Sequence, residues 1–160
     1  LDRDELVHAV VGTIRARLNG AVVEVNRGEQ DAAWRMARAV SLFFRYAVDE
    51  PDAAAALVRI HGTEPSVQAD FNLPLVQDLE LGISSGRFAL PTLEAGVMFV
   101  VGVVQVGMAR IAAGGNASLA VSQAQQLTSM LLRGLGVAGD EAGRIAAQAS
   151  DSLVRAGWTA

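Results

Sequence analysis

The stretch Pro91–Gly115, PTLEAGVMFVVGVVQVGMARIAAGG, decides how the rest of the chain is read. Pro91 and Thr92 suit a helix start and the Gly114-Gly115 pair suits a helix end, so the spacing predicts one helix over 91–114. At about 1.5 Å per residue it is roughly 35 Å long, the width of a small domain. Val97, Val100, Val101, Val104, Met108 and Ile111 fill one broad face of it, and Ala95, Gly102 and Ala109 form a narrow stripe on another. A helix that is apolar on more than one side has to be covered on more than one side, here by its own domain and by a partner chain. Small residues seven apart let a second backbone come close, and Gln105 beside them is placed to hydrogen-bond across such a contact. A helical dimer seam is therefore expected. The valine density would also suit a buried strand pair broken at Gly102, since β-branched side chains favour sheets and periodicity alone does not separate the two in a short apolar run. A membrane span needs roughly 18 to 20 uncharged apolar residues. Glu94, Gln105 and Arg110 interrupt this one, and no membrane insertion is expected.

The chain has 160 residues, enough for one domain with a substantial core and too few for two comfortable ones. Its 51% hydrophobic and 19% charged residues exclude a disordered chain and favour a large apolar interior or an interface. Without cysteine there is no disulfide framework and no thiolate metal site. No basic, apolar, small-residue signal stands at the N-terminus, so a cytoplasmic protein is expected. The net charge of −4, with basic residues that are all arginine and all scattered, makes this segment alone a poor ligand for nucleic acid.

Outward from the central stretch, every strong pattern has the helical period. Val7, Val11, Ile14, Leu18, Ala21, Val22 and Val25 predict a long amphipathic helix over 2–25, with Arg3, His8, Arg15, Arg17 and Glu24 off its apolar face and Gly28 at its end. A second helix over 31–48 carries Ala33, Met36, Ala37, Val40, Phe43, Phe44 and Ala47 as its core face, with Trp34, Arg38 and Arg45 on another side. Asp49-Glu50-Pro51-Asp52 opens a short third helix ending near His61-Gly62. A turn over 63–66 leads to a fourth helix over 66–85, which Pro74 kinks or breaks near Asn72. Asn116 or Ser118 caps a helix with Ala120, Ala124, Leu127, Leu131 and Leu135 on one face and Val121, Thr128 and Leu132 beside them. A last helix over 140–155 is weaker, and Trp158 is expected to tuck the tail onto the body. The domain is predicted to be all-α, with six or seven helices packed antiparallel.

Two motifs look like chemistry and fail on context. Gly82-Ile83-Ser84-Ser85-Gly86 has the form of a nucleophile elbow, but that device needs a preceding strand and a later histidine. Gly134-Leu135-Gly136-Val137-Ala138-Gly139 has the form of a dinucleotide fingerprint, but it closes a helix rather than following a strand. Asn116-Ala117-Ser118 fits a glycosylation acceptor and is better explained as a cap. The two histidines have no carboxylate at metal-ligand spacing. The acid pairs Asp49/Glu50, Asp78/Glu80 and Asp140/Glu141 are read as helix starts or solvated faces. No catalytic constellation, metal site or cofactor is expected. Trp34, Arg38, His61, Phe71, Met98 and Gln105 are large or polar side chains outside the plain core pattern, on helices that a bundle can gather round one cavity. Such an apolar pocket with a few polar groups would take a mostly hydrophobic small molecule. Singly, each also has a bland explanation: Trp34 and Phe71 as core aromatics, Arg38 as a snorkelling side chain, His61 as a helix-end cap.

The opening Asp2-Arg3-Asp4-Glu5-Leu6, then Phe44-Arg45-Tyr46-Ala47 with Pro51 and Leu57, then Asp78-Leu79-Glu80-Leu81-Gly82-Ile83 with Gly86-Arg87-Phe88, and Leu131-Leu132-Arg133-Gly134-Leu135-Gly136 resemble the C-terminal ligand-binding and dimerisation domain of tetracycline-repressor-like (TetR family) transcriptional regulators. The resemblance spans nearly the whole chain. It implies a preceding helix-turn-helix domain, absent from this chain, with residues 2–6 starting the linking helix and Leu1 marking a cut or a limit of order. It also implies a homodimer built on a four-helix bundle from the helices over 91–114 and 117–134, with Ala95, Gly102, Ala109, Ala124, Thr128 and Leu132 at the contact. A ligand among the second to fifth helices would shift the first helix and so the spacing of two recognition helices on operator DNA. The competing classes are a helical interaction module without ligand and an enzyme built on a helical bundle.

Overall fold

Asp31 starts the helix around which the body is assembled: its Oδ1 accepts the backbone N–H of Ala33 at 2.7 Å and of Trp34 at 3.3 Å. Two donors that the first turn would leave unpaired are satisfied this way. The computed structural model describes residues 2–61 and 70–155, without the side chains of Arg3, Asp4 and His61. The expected turn over 63–66 and the docking of Trp158 lie outside the described residues. The helices are α1 (Arg3–Val25), α2 (Ala32–Asp49), α3 (Pro51–His61), α4 (Leu73–Ser84), α5 (Leu93–Ala112), α6 (Ala117–Gly134) and α7 (Gly139–Leu153), with a 3₁₀ turn at Asp70–Asn72 before α4. Among the described residues there is no strand. The chain is all-α, and Pro91–Gly115 is helical throughout its middle.

The hub is α2 rather than α5, because α2 packs against each of the other six helices. Its small residues Ala32, Ala33, Ala37, Ser41 and Ala47 are buried on several sides and let neighbours come close, while Met36, Val40 and Phe44 fill the space between. Phe44 meets α5 where Gly107 stands: a Cβ on Gly107 would lie 2.7 Å from the ring's Cζ and 2.9 Å from Leu127 on α6. That glycine sets the spacing of three helices. α7 lays Ala142, Ile145, Ala146 and Ala149, all buried, into the body beside α6 and α2.

Local signals account for the ends. Thr92 Oγ1 accepts from Ala95 N–H at 3.1 Å and starts α5; Asn116 Oδ1, not Ser118, accepts from Leu119 N–H at 2.9 Å and starts α6. Pro74 produces the break expected near Asn72. The backbone forms the 3₁₀ turn first, and α4 begins at Leu73 with the proline in its opening positions, where no backbone donor is required. Gly86, at φ +72, turns the chain after α4 in a conformation that L side chains rarely adopt. The following link is then tied down by the Ala89 N–H donating to Leu135 C=O at 2.8 Å.

Among the described residues, α5 has the length and apolar composition to cross a membrane, so its three polar interruptions do not exclude that by themselves. Its broad valine face goes into the fold, against α2, α3, α4 and α6. The opposite face, with Met98, Phe99, Gly102 and Val106, stays exposed.

Candidate ligand-binding site

Between α1, α2, α3, α4 and α5 the helices leave a cavity of about 90 Å³. Its walls are mostly apolar: Val22 of α1, Met36, Val40 and Phe43 of α2, Leu57 and Val58 of α3, and Val101, Val104 and Met108 of α5. Polar groups are few and come from named places: Arg15 and Asn19 on α1, Asn72 in the 3₁₀ turn, Asp78 on α4 and Gln105 on α5. An apolar chamber with a handful of polar groups is the usual form of a small-molecule site.

The polar end is built around Phe71. The guanidinium of Arg15 lies over the Phe71 ring, 3.8 Å from its centroid, and Asn19 Nδ2 donates to the Phe71 carbonyl at 3.0 Å. Residues 15 and 19 are one helical turn apart, so the same face of α1 holds both the ring and the backbone of the 3₁₀ turn. Arg15 Nη2 is 3.5 Å from Asn72 Oδ1, a long contact, and Arg15 Nε is buried with no hydrogen-bond partner among the described residues. Burial pushes the Arg15 guanidinium down to about 10, so it still carries its charge at neutral pH. Asp78 is matched instead: Arg35 Nε donates to its Oδ1 at 2.6 Å, and Arg35 Nη1 reaches the carbonyls of Glu29 and Asn26. Burial pushes the Asp78 carboxyl up, and the hydrogen bond and charge of Arg35 only partly offset it.

Of the six side chains expected at a pocket, Phe71 and Gln105 line this cavity. Trp34 and Arg38 do not. Each lies two residues from Met36 along α2, a rotation of about 200° that puts it on the far side of the helix. There Arg38 bonds Glu29 Oε2 at 3.1 Å and the Val25 carbonyl at 3.4 Å, with the Trp34 ring 5.8 Å away, and so clamps the turn between α1 and α2. Met98 sits on the outer face of α5, 52% exposed. The His61 side chain lies outside the described residues. Arg15, set among the off-face residues of the first helix, is on the buried stripe with Val11, Leu18 and Val22; a charge four residues from one apolar position and three from the next was the available signal. Asp78 was read as a solvated or helix-start acid and is buried and paired.

The residues expected at a dimer contact divide as sharply. Gly102 and Ala109 are exposed, a Cβ on Gly102 would meet nothing within 4 Å, and Ala95 is partly covered. Ala124, Thr128 and Leu132 are 0% exposed within the single chain, so they have no surface to offer a partner. They face the chain's own core, where α6 packs on α7, α2 and α5. The hydroxyls of Ser84 and Ser85 donate back to the Leu81 carbonyl at 3.1 and 2.7 Å, as expected of a helix end, and residues 134–139 link α6 to α7. No group of three or more His, Cys, Asp or Glu able to hold a metal ion occurs among the described residues.

Seven helices, five of them around a mostly apolar cavity, with no strand among the described residues, define an all-α domain. The family model described as "Tetracyclin repressor-like, C-terminal domain" matches residues 31–148, and the chain belongs to that family of transcriptional regulators. Among solved structures, RolR in complex with the ligand resorcinol is similar, with a TM-score of 0.69 and 21% sequence identity over 92% of this chain and 72% of that one. At that identity the likeness shows a shared fold. No curated protein matches the sequence.

Proposed function

We propose that the chain is the ligand-sensing and dimerisation domain of a TetR-family regulator. A small, mostly apolar molecule binds in the cavity and alters operator binding by a helix-turn-helix domain joined to the start of α1. The observation that carries the reading is that α1, the helix the family uses as its link to DNA, supplies two of the cavity's polar groups, Arg15 and Asn19. Occupancy then acts directly on the position of α1. RolR, similar in fold, was solved with a small ligand, which fits a chamber of this kind. A coupling of about 1–3 kcal/mol between the two sites changes operator affinity roughly 5- to 150-fold. The exposed apolar face of α5 around Gly102 supports pairing of two copies, with α6 contributing only its outer residues such as Leu119 and Met130.

Filling the cavity tests the sensor. Val104→Phe places a ring in the chamber, and the variant is expected to fold, by circular dichroism, while losing the ligand-induced rise in melting temperature that the unmodified domain shows across a panel of small aromatic compounds. If no compound raises the melting temperature of the unmodified domain, and no small molecule is retained on purification by mass spectrometry, the interaction-module reading replaces this one.

A further inference from the structure

The charges at the cavity do not balance. Two ionised side chains line it, Arg15 and Asp78; Asp78 is neutralised by Arg35 at 2.6 Å, while Arg15 makes no ion pair with any described carboxylate. Arg15 Nε is a buried donor without an acceptor, and the guanidinium carbon lies over the Phe71 ring, 3.8 Å from its centroid. A partly buried cation with a buried, unused donor costs free energy in the empty domain, and an incoming carboxylate removes that cost by accepting charge-assisted hydrogen bonds from the guanidinium. The remaining walls, Val22, Met36, Val40, Phe43, Val104 and Met108, offer no second cation and so suit an uncharged body.

We propose that Arg15 anchors the anionic head of the ligand, so that the domain senses small organic acids with one carboxylate and an apolar, ring-sized body. The assignment rests on the cavity being the sensor site.

Matched pairs separate the two ideas. Benzoate, phenylacetate and 3-phenylpropionate are titrated by calorimetry against their primary amides, into the domain and into Arg15→Met and Arg15→Lys, with circular dichroism to check folding. At least one acid is expected to bind roughly tenfold or more tightly than its amide, the difference between a charge-assisted and a neutral hydrogen bond. Arg15→Met is expected to erase that preference while keeping the affinity for amides, and Arg15→Lys to retain part of it. An acid preference undiminished in Arg15→Met overturns the anchor and leaves the sensor standing, as does binding of neutral probes such as indole or toluene with no binding of the acids. Binding of none of these to the unmodified domain overturns the anchor, and the sensor falls with it only if no compound of the wider panel raises the melting temperature and no small molecule is retained on purification.

Discussion

Arg87 and Glu141 meet side by side, Nη1 to Oε2 at 3.0 Å and Nη2 to Oε1 at 2.6 Å, although 54 residues separate them in the chain. The Nε of the same guanidinium reaches both oxygens of Asp31, at 3.2 and 3.1 Å. One arginine in the α4–α5 link therefore ties the acid that caps α2 to an acid in the first turn of α7. Both carboxylates already sit at the positive ends of helices, and the arginine completes the arrangement.

Arg87→Gln is expected to lower the urea midpoint, and the loss should depend on pH. The hydrogen bond from Arg87 holds the Glu141 carboxyl below its usual range. Burial pushes Asp31 up, but the bonds from Arg87 and the Ala33 and Trp34 N–H groups outweigh it and hold that carboxyl low as well. A carboxyl whose folded value is depressed stabilises the fold above the unfolded value, about 4 for Asp and Glu, and loses that contribution as pH falls through the folded value. The gap between wild type and Arg87→Gln should be full at pH 7 and close below about pH 4. A gap independent of pH would show that the ion pairs contribute nothing.

Two glycines on α5 should respond in opposite ways to the same change. Gly107→Ala forces a Cβ into the Phe44 ring and Leu127, and overpacking costs about 1–3 kcal/mol, against about 1 kcal/mol gained by replacing glycine in a helix. A lower urea midpoint is expected. Gly102→Ala meets nothing and should raise the stability of the single chain by up to about 1 kcal/mol. If two copies approach there, the same substitution should weaken self-association in sedimentation velocity.

Asp78→Ala should destabilise strongly, by about 3–5 kcal/mol, because it leaves Arg35 without its counter-charge. Asp78→Ala combined with Arg35→Met is expected to cost less than Asp78→Ala alone, since no orphaned charge remains. Chemical denaturation of both variants reads the difference. Equal losses would mean that the pair acts only through packing.

These particulars show what a sequence carries. The start at Thr92, the stop at Gly114 and the break before Leu73 are local events, decided by a few adjacent residues, and all were legible; the helix read from Asp31 begins one residue later, with Asp31 as its cap. The core face of α2 was legible too, because its period is regular. What was not legible depends on partners distant in the chain. Arg15 reads as a surface charge until Phe71, 56 residues later, covers it. Trp34 and Arg38 stand out by size and charge, but neither property says which way a helix is turned in the body. Thr128 and Ala124 look like seam residues until the other helices of the same chain bury them. α5 drew attention by its hydrophobicity; the helix that touches all the others was the one made of small residues.

The attachment of α1 at Arg15 and Asn19 has a mechanical consequence. Leu6 and Val10, on the N-terminal side of that attachment, are 56% and 52% exposed, so the opening turns of the helix are only loosely gripped by the body. Arg3 lies about 18 Å from Arg15 along the axis, so in the proposed mechanism the first half of the helix would act as a lever pivoted on the Phe71 stack. A tilt of about 5° at the pivot swings the far end by about 1.5 Å, and two such levers in a symmetric pair double the change in separation between whatever they carry.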